Sequence, residues 1–329
     1  MQGFLLRLVV VLVSVSSPVF AAESVQTWVL DDGNDWKPVS TDPNSQYALA
    51  VAEARKLIGA GQAEAAKDAF DRIKQDFPKL AGPDFDLFAK AEVFYCRDSY
   101  AKAMKNYEKL LNKHAESTFY AAALDREFTI AKEFLAGRKK TFLGIFKITA
   151  YTDGVKMMER ISDRLGLDEP DGLGLKAAIA VAEHYEQRRK YSDAYLKWSE
   201  IASYWETGQI GKEALLRMAQ NKLAAYNKNP EEKRSRYDAS RLVSARSYYE
   251  KFRLLYPQDA ERIHVAQTIK DIDEQLACKE LTIGQYYQRT GHTQAANLYF
   301  DMVVQNWPDS KAAETAKQML NNSPQNWGQ

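Results

Sequence analysis

Glycine and proline are scarce in this chain of 329 residues, with 16 of the first and 10 of the second. So little punctuation argues against a fold of many short strands and turns, and favours long helices. An excess of one charge is missing too. Lys and Arg together number 45 against 44 Asp and Glu, a formal net charge of +1. That balance gives no reason to expect a nucleic acid as partner, because a polyanion needs a clear basic excess on some face. No phosphate-binding loop, Gly-x-Ser-x-Gly elbow or His-Glu-x-x-His helix occurs. The histidines are His114, His184, His264 and His292. None pairs with another at ligand spacing, so surface or capping roles are expected and no metal or cofactor. Carboxylates fall among Lys and Arg at helical spacing, as a solvated face requires. An enzyme is therefore not expected. Disorder throughout is excluded by a 45% hydrophobic content, enough apolar surface to offset the entropy of ordering.

Only one long apolar run is present, and it lies at the start. Arg7 precedes Leu8–Val13, small and turn-forming residues follow to Pro18, and Val19-Phe20-Ala21 leads to Ala22. Residues 1–22 are read as a secretory signal peptide, since the run is short of the roughly 20 residues of a membrane span. The mature protein is expected to be soluble, without a span. In an exported chain a disulfide between Cys96 and Cys278 is permitted. Both lie far apart in apolar helical surroundings, and two buried free thiols are the favoured expectation.

The rest of the chain repeats. The recurring pattern is a small residue, a second small residue twelve later, an aromatic four after that, and Pro eight further on. The first copy has Ala54, Ala66, Phe70 and Pro78, and the second Ala91, Ala103 and Tyr107. A later copy has Ala182, Ala194 and Trp198, another has Ala245, Tyr249 and Pro257, and the last has Gly284, Ala296, Phe300 and Pro308. Small residues serve where two helix backbones approach, the aromatic fills the space beside them, and Pro stops the second helix. This is the tetratricopeptide pattern. The expected fold is all-α, a solenoid of about five helix pairs in a curved right-handed superhelix.

The expected boundaries follow. A flexible leader with Trp28 and Trp36 covers 23–45, and repeats cover about 46–80, 83–116, 117–168, 171–207, 211–258 and 276–309. A connecting helix covers 259–276, a capping helix 310–320, and a tail 321–329. In the third unit about fifteen residues, including the apolar stretch Phe142–Tyr151, separate a helix near Ser117–Ala136 from one near Asp153–Leu165. In the fifth, the charged spacer Asn229–Arg236 plays the same part.

The last third carries a more specific signature. Leu242–Pro257 ends in Tyr-Pro. Then come Leu-Ala-x-x-Glu-Leu (276–281), x-x-Gly-x-Tyr-Tyr-x-Arg (282–289), Ala-Ala-x-x-x-Phe (295–300) and Trp-Pro-Asp-Ser (307–310). These runs resemble the last repeats of the BamD-type lipoproteins of the outer-membrane β-barrel assembly machinery. The resemblance spans Tyr47 to about Leu320 and is specific from roughly Leu242. It implies a non-enzymatic helical rod in the periplasm, at the inner face of the outer membrane, binding partner proteins and unfolded barrel substrate. Such lipoproteins carry a lipidated Cys directly after the signal peptide, where this sequence has Ala21-Ala22-Glu23. That departure leaves a second reading open, a soluble periplasmic adaptor coordinating cell-wall or envelope processes.

Candidate contact residues come from the helix faces that would line the inner wall. In the first two repeats these are Arg55, Phe85, Phe88, Glu92 and Tyr95, some of which must be core. In the last they are Leu281, Gln285, Gln288 and Arg289. The first group is expected to hold a peptide segment and the second to dock another envelope protein, with the chain a monomer within a complex. Basic clusters at 138–140, 188–190 and 233–236 fall at helix ends or turns, where they complement helix dipoles or stay hydrated. Arg138, Lys139 and Lys140 stand apart because Phe142 and Phe146 follow. That segment either contacts a membrane or partner or packs back onto the neighbouring repeats.

Overall fold

The computed structural model describes residues 28–30, 36–38, 42–142 and 146–322. The expected signal peptide lies outside these residues, as does the tail from residue 323. Two short strands, β1 (Trp28–Leu30) and β2 (Trp36–Pro38), pair antiparallel within the expected leader. The chain then divides into two compact units, Met1–Glu127 and Phe128–Gln329.

The first unit holds α1 (Pro43–Gly59), α2 (Ala63–Asp76), α3 (Pro83–Cys96), α4 (Tyr100–Lys113) and the start of α5 (Tyr120–Leu135). Asp42 caps α1, its carboxylate accepting from the Ser45 amide at 3.3 Å, with Pro43 pre-set for the first turn. The second unit continues with β3 (Lys139–Phe142), β4 (Phe146–Thr149), α6 (Tyr151–Leu165), α7 (Leu173–Gln187) and α8 (Tyr191–Tyr204). It ends with α9 (Gly208–Asn227), a 3-10 helix (Glu231–Arg236), α10 (Ser240–Leu255), α11 (Pro257–Arg262), α12 (Val265–Arg289), α13 (Thr293–Asn306) and α14 (Lys311–Asn321).

Among the described residues six helix pairs follow one another. Their spacing residues do what the pattern requires. Ala54, Ala66, Ala91, Ala103, Ala182, Ala194, Ala245 and Ala296 are all buried to within 1%. The aromatics Phe70, Tyr107, Trp198, Tyr249 and Phe300 are buried beside them. The constraint is sharpest at Gly284, where an added Cβ would stand 2.6 Å from Cε1 of Phe300. No side chain fits there unless that ring moves.

Four of the turns inside helix pairs share one device. The residue five before the second small position is left-handed in each: Gly61, Asp98, Arg189 and Gly291, with φ between 53° and 83°. Glycine meets this at no steric cost and Asp tolerates it, whereas Arg189 carries strain of about 1–2 kcal/mol. The other two pairs have longer connections, and both carry structure. The β3–β4 hairpin joins α5 to α6. The 3-10 helix joins α9 to α10 and is pinned by Tyr226, whose hydroxyl donates to the Arg234 carbonyl at 3.0 Å, and by Lys279, which donates to the Tyr237 carbonyl at 2.8 Å.

The expected connecting helix does not stand alone. Residues 265–289 form one continuous helix of 25 residues, so the connector and the first helix of the last repeat are a single element. It starts after His264, which is left-handed at φ 57°. The capping helix α14 is tied to it: Glu274 of α12 accepts from the Lys311 amide at 2.8 Å and the Ala312 amide at 3.2 Å. A carboxylate there meets two of the unpaired amides of a helix N-terminus.

Candidate functional site

In the first unit, the inner wall expected from the sequence is reorganised by a buried ion pair. Glu92 on α3 has no exposed surface. Its carboxylate accepts from the Tyr107 hydroxyl on α4 at 2.6 Å and from Nε and Nη2 of Arg126 on α5 at 2.9 and 3.0 Å. A carboxylate so deep needs this many donors to offset its lost hydration. Burial, with the Glu92 charge and hydrogen bond behind it, pushes the Tyr107 hydroxyl well above its ordinary pKa. Arg126 also lies over the Tyr95 ring at 4.4 Å, and Tyr95 stacks on Tyr100 at 5.6 Å.

Three of the five residues assigned to this wall are therefore core. Phe85 sits among the rings of Tyr47, Phe70 and Phe119, and Phe88 stacks on Phe119 at 4.6 Å. With Glu92 they fill the space between successive helix pairs, and none is free to anchor a peptide. Arg55 and Tyr95 are half-buried. Arg55 stands over the Phe88 ring at 5.6 Å, and its Nε has no hydrogen-bond partner. The partly exposed groups here are thus Arg126 over the Tyr95 ring, and Arg55 over the buried Phe88. Arg126 was missed by sequence reasoning because its partner lies 34 residues away, beyond any local pattern.

A cleft of about 210 Å³ opens between α2 and α3, also unforeseen. Phe70, Phe85, Ala89, Val93 and Phe94 form its apolar floor, with Lys67, Lys74, Lys90 and Arg97 around it. Lys74 donates to both oxygens of Asp86 at 2.6 Å, and Lys67 pairs with Asp71 at 2.9 Å.

The second unit repeats the theme one residue class over. Glu186 on α7 accepts from Trp198 Nε1 at 2.8 Å, Asn221 Nδ2 at 2.6 Å and Arg217 Nη1 at 3.0 Å. Arg217 and Arg126 hold the same place, each 35 residues after the small residue of the preceding repeat, Ala182 or Ala91. Burial, followed by the neighbouring Glu186 and Glu213 charges, raises the pKa of Glu183, while Arg217 opposes the shift. Beside this hub a cleft of about 440 Å³ is lined by Gln209, Lys212, Glu213, Arg217, Asp259 and Arg262, among others.

The C-terminal assignments divide in the same way. Leu281 is buried in a cluster with Phe300, Ala312, Ala313 and Ala316, because α14 packs over it. That removes it as a contact residue. Gln285 is half-buried, its Nε2 4.0 Å from the Met319 sulfur. Gln288 and Arg289 are exposed at the end of α12.

His184 departs from the surface role expected of the histidines. It is 6% exposed, beneath the Tyr151 ring at 5.4 Å and hydrogen-bonded to the Leu135 backbone. Burial first, then Arg188 and Lys190, lowers its pKa below the ordinary 6.5. The unfolded chain therefore binds this proton at a higher pH than the folded one. Stability is full above about 6.5 and is lost as pH falls toward the folded-state value. Thermal unfolding between pH 7.5 and 5 should show this loss, and His184→Gln should flatten the slope. An unchanged slope would assign the acid sensitivity elsewhere. The thiols of Cys96 and Cys278 are both free and half-buried. Among the described residues no cluster of three His, Cys, Asp or Glu could hold a metal ion. No helix among them is long and apolar enough to cross a membrane.

Stacked helix pairs with small residues at their crossings and an aromatic wedge between them define an all-α protein of tetratricopeptide type. Residues 220–329 match a family model described as YfiO, outer membrane lipoprotein. No curated protein matches the chain. Among solved structures it is similar to the C-terminal part of a TPR repeat-containing protein from Cytophaga hutchinsonii. That match has 14% identity and a TM-score of 0.36, covering 83% of this chain and 95% of that one. A tetratricopeptide repeat protein from Parabacteroides merdae matches at 14% identity and TM-score 0.33, covering 84% and 97%. PilW, a type IV pilus biogenesis factor, matches at 14% and 0.30, covering 83% and 98%.

Proposed function

We propose that this protein is a non-catalytic scaffold of the bacterial periplasm, binding envelope proteins or peptide segments during outer-membrane protein assembly. The observation that carries the reading is the match of residues 220–329 to an outer-membrane lipoprotein family. The Leu276–Ser310 motifs lie within that match. Tyr95, half-buried, stacked on Tyr100 and covered by the Arg126 cation, supplies an aromatic anchor of the kind a peptide site needs. The exposed Gln288 and Arg289 remain as contacts for a second protein.

The test is capture from an envelope extract of the source bacterium with the mature chain as bait. A large β-barrel protein as main prey is expected. Cell-wall synthases or hydrolases instead would replace this reading with that of an adaptor for cell-wall processes. With the partner in hand, Tyr95→Ala should weaken binding about tenfold or more, the loss typical of an aromatic hot spot. An unchanged affinity, with the helical content preserved, would remove Tyr95 as the anchor.

A further inference from the structure

We propose that the cleft between α2 and α3 seats an acidic amphipathic helix of a partner protein, its apolar side on the floor and its carboxylates along both rims. This adds a second site to the scaffold reading and gives the chemistry of its guest. It rests on that reading only in taking the guest to be a protein. The cleft lies wholly within the first unit. On α3 it takes Phe85, Ala89 and Val93 at four-residue steps, with Lys90, Phe94 and Arg97 on the neighbouring row. Tyr95 falls on the opposite face of α3 by helical geometry, so the two sites are separate.

The floor is hydrocarbon and aromatic. Phe70, Phe85 and Val93 are buried there and Phe94 is half-buried. The open volume is about 210 Å³, whereas an apolar space of about 150 Å³ already admits a benzene ring. One aromatic or branched aliphatic side chain therefore fits while its backbone stays outside.

The cations give the guest its shape. Lys67 and Lys74 stand on the α2 rim, and Lys90 and Arg97 on the α3 rim, all four exposed. Each pair is seven residues apart, about two helical turns or 10.5 Å. The ion pairs of Lys74 with Asp86 and of Arg97 with Glu64 set the register of two antiparallel helices. In that register Arg97, Lys67, Lys90 and Lys74 follow one another about one turn apart, alternating between the rims over about 16 Å. A guest helix with an apolar seam carries its flanking positions at the same period, seven residues on each side of the seam. Acidic residues at those positions meet the four cations in turn. Lys90 makes no ion pair among the described residues, and the partners of the other three are exposed carboxylates. Such exposed pairs are weak, so a guest carboxylate can replace them. A lipid chain would call for a cation at one end only, not along both rims.

The experiment is fluorescence anisotropy of the full chain with a labelled helical peptide of about 18 residues, Leu and Phe on its seam and Glu at the flanking positions. Saturable binding that weakens with added salt is expected. The same peptide with Lys at the flanks should bind at least tenfold more weakly. Lys90→Glu, an exposed change that leaves the core alone, should weaken the acidic peptide about tenfold. Phe94→Ala should do so by about tenfold or more, with circular dichroism and thermal unfolding used to confirm that the fold is kept. Tyr95→Ala should leave this affinity unchanged, so the result stands apart from that of the envelope capture. No binding, equal binding of the acidic and basic peptides, or an unaffected Lys90→Glu variant would overturn the proposal. So would displacement of the peptide by laurate below its micellar concentration, which would make an acyl chain the occupant. Self-association of the chain that Phe94→Ala abolishes in ultracentrifugation would overturn it too, in favour of a second copy.

Discussion

Replacing Arg126 with alanine is expected to destabilise the fold by about 3–5 kcal/mol, the cost of leaving a buried carboxylate without its cation. Glu92 has no exposed surface, and Arg126 supplies two of its three hydrogen bonds. Water cannot replace them without opening the contact between α3 and α5. The measurement is guanidinium unfolding followed by far-ultraviolet circular dichroism. Arg126→Lys should recover part of the loss, since an ammonium keeps the charge but not the fork that grips both oxygens. Combining Glu92→Gln with Arg126→Ala should cost less than the sum of the two, because the second change removes a charge already orphaned. A loss below about 1 kcal/mol for Arg126→Ala would mean that the pair is solvated in solution.

Trp198→Ala carries the second large effect, about 3–5 kcal/mol for emptying a core site of this size. The indole is fully buried, in a cluster with Leu175, Ala178, Ile201, Ala214 and Met218. Trp198→Phe separates its two roles. The smaller ring retains most of the packing but not the donor to Glu186. Asn221 and Arg217 still serve that carboxylate, so a loss of about 1–3 kcal/mol is expected. If the phenylalanine variant were as damaged as the alanine one, the hydrogen bond and not the volume would be the main contribution of Trp198.

These two sites mark where sequence reasoning succeeds and where it stops. Ala182, Ala194 and Trp198 were legible because a close helix crossing admits few residue types, and their spacing recurs. Phe85, Phe88 and Glu92 were placed on the wall because the first helix of a repeat is apolar on two sides. One side meets its own partner helix and the other meets the adjacent pair, and periodicity does not say which residues serve the second. Glu92 misled further, since carboxylates are usually solvated and its cation is supplied by another helix. The same limit hid α12. Its connector and repeat halves were divided at residue 276 by the repeat count, although nothing in Leu276-Ala277-Cys278 stops a helix. The β3–β4 hairpin left only a short alternation, too brief to distinguish from an apolar helix segment.

The left-handed turn shared by four helix pairs bears on how such a chain can change. Where it occurs, the two helices are joined by the shortest loop the crossing allows, and nothing can be added without opening it. The two pairs that lack it bring their helices together by close packing, as at Gly154, where an added Cβ would meet the Ala131 carbonyl and Phe134 at 3.0 Å, and join them through the β3–β4 ladder or the 3-10 helix. Loop length is a free variable there, and both of those joints carry the longer connections. New surface on this molecule is thus confined to two addresses. A foreign tag or reporter loop should be tolerated between Glu231 and Arg236 and rejected at Asp98 or Arg189, where the backbone has no slack.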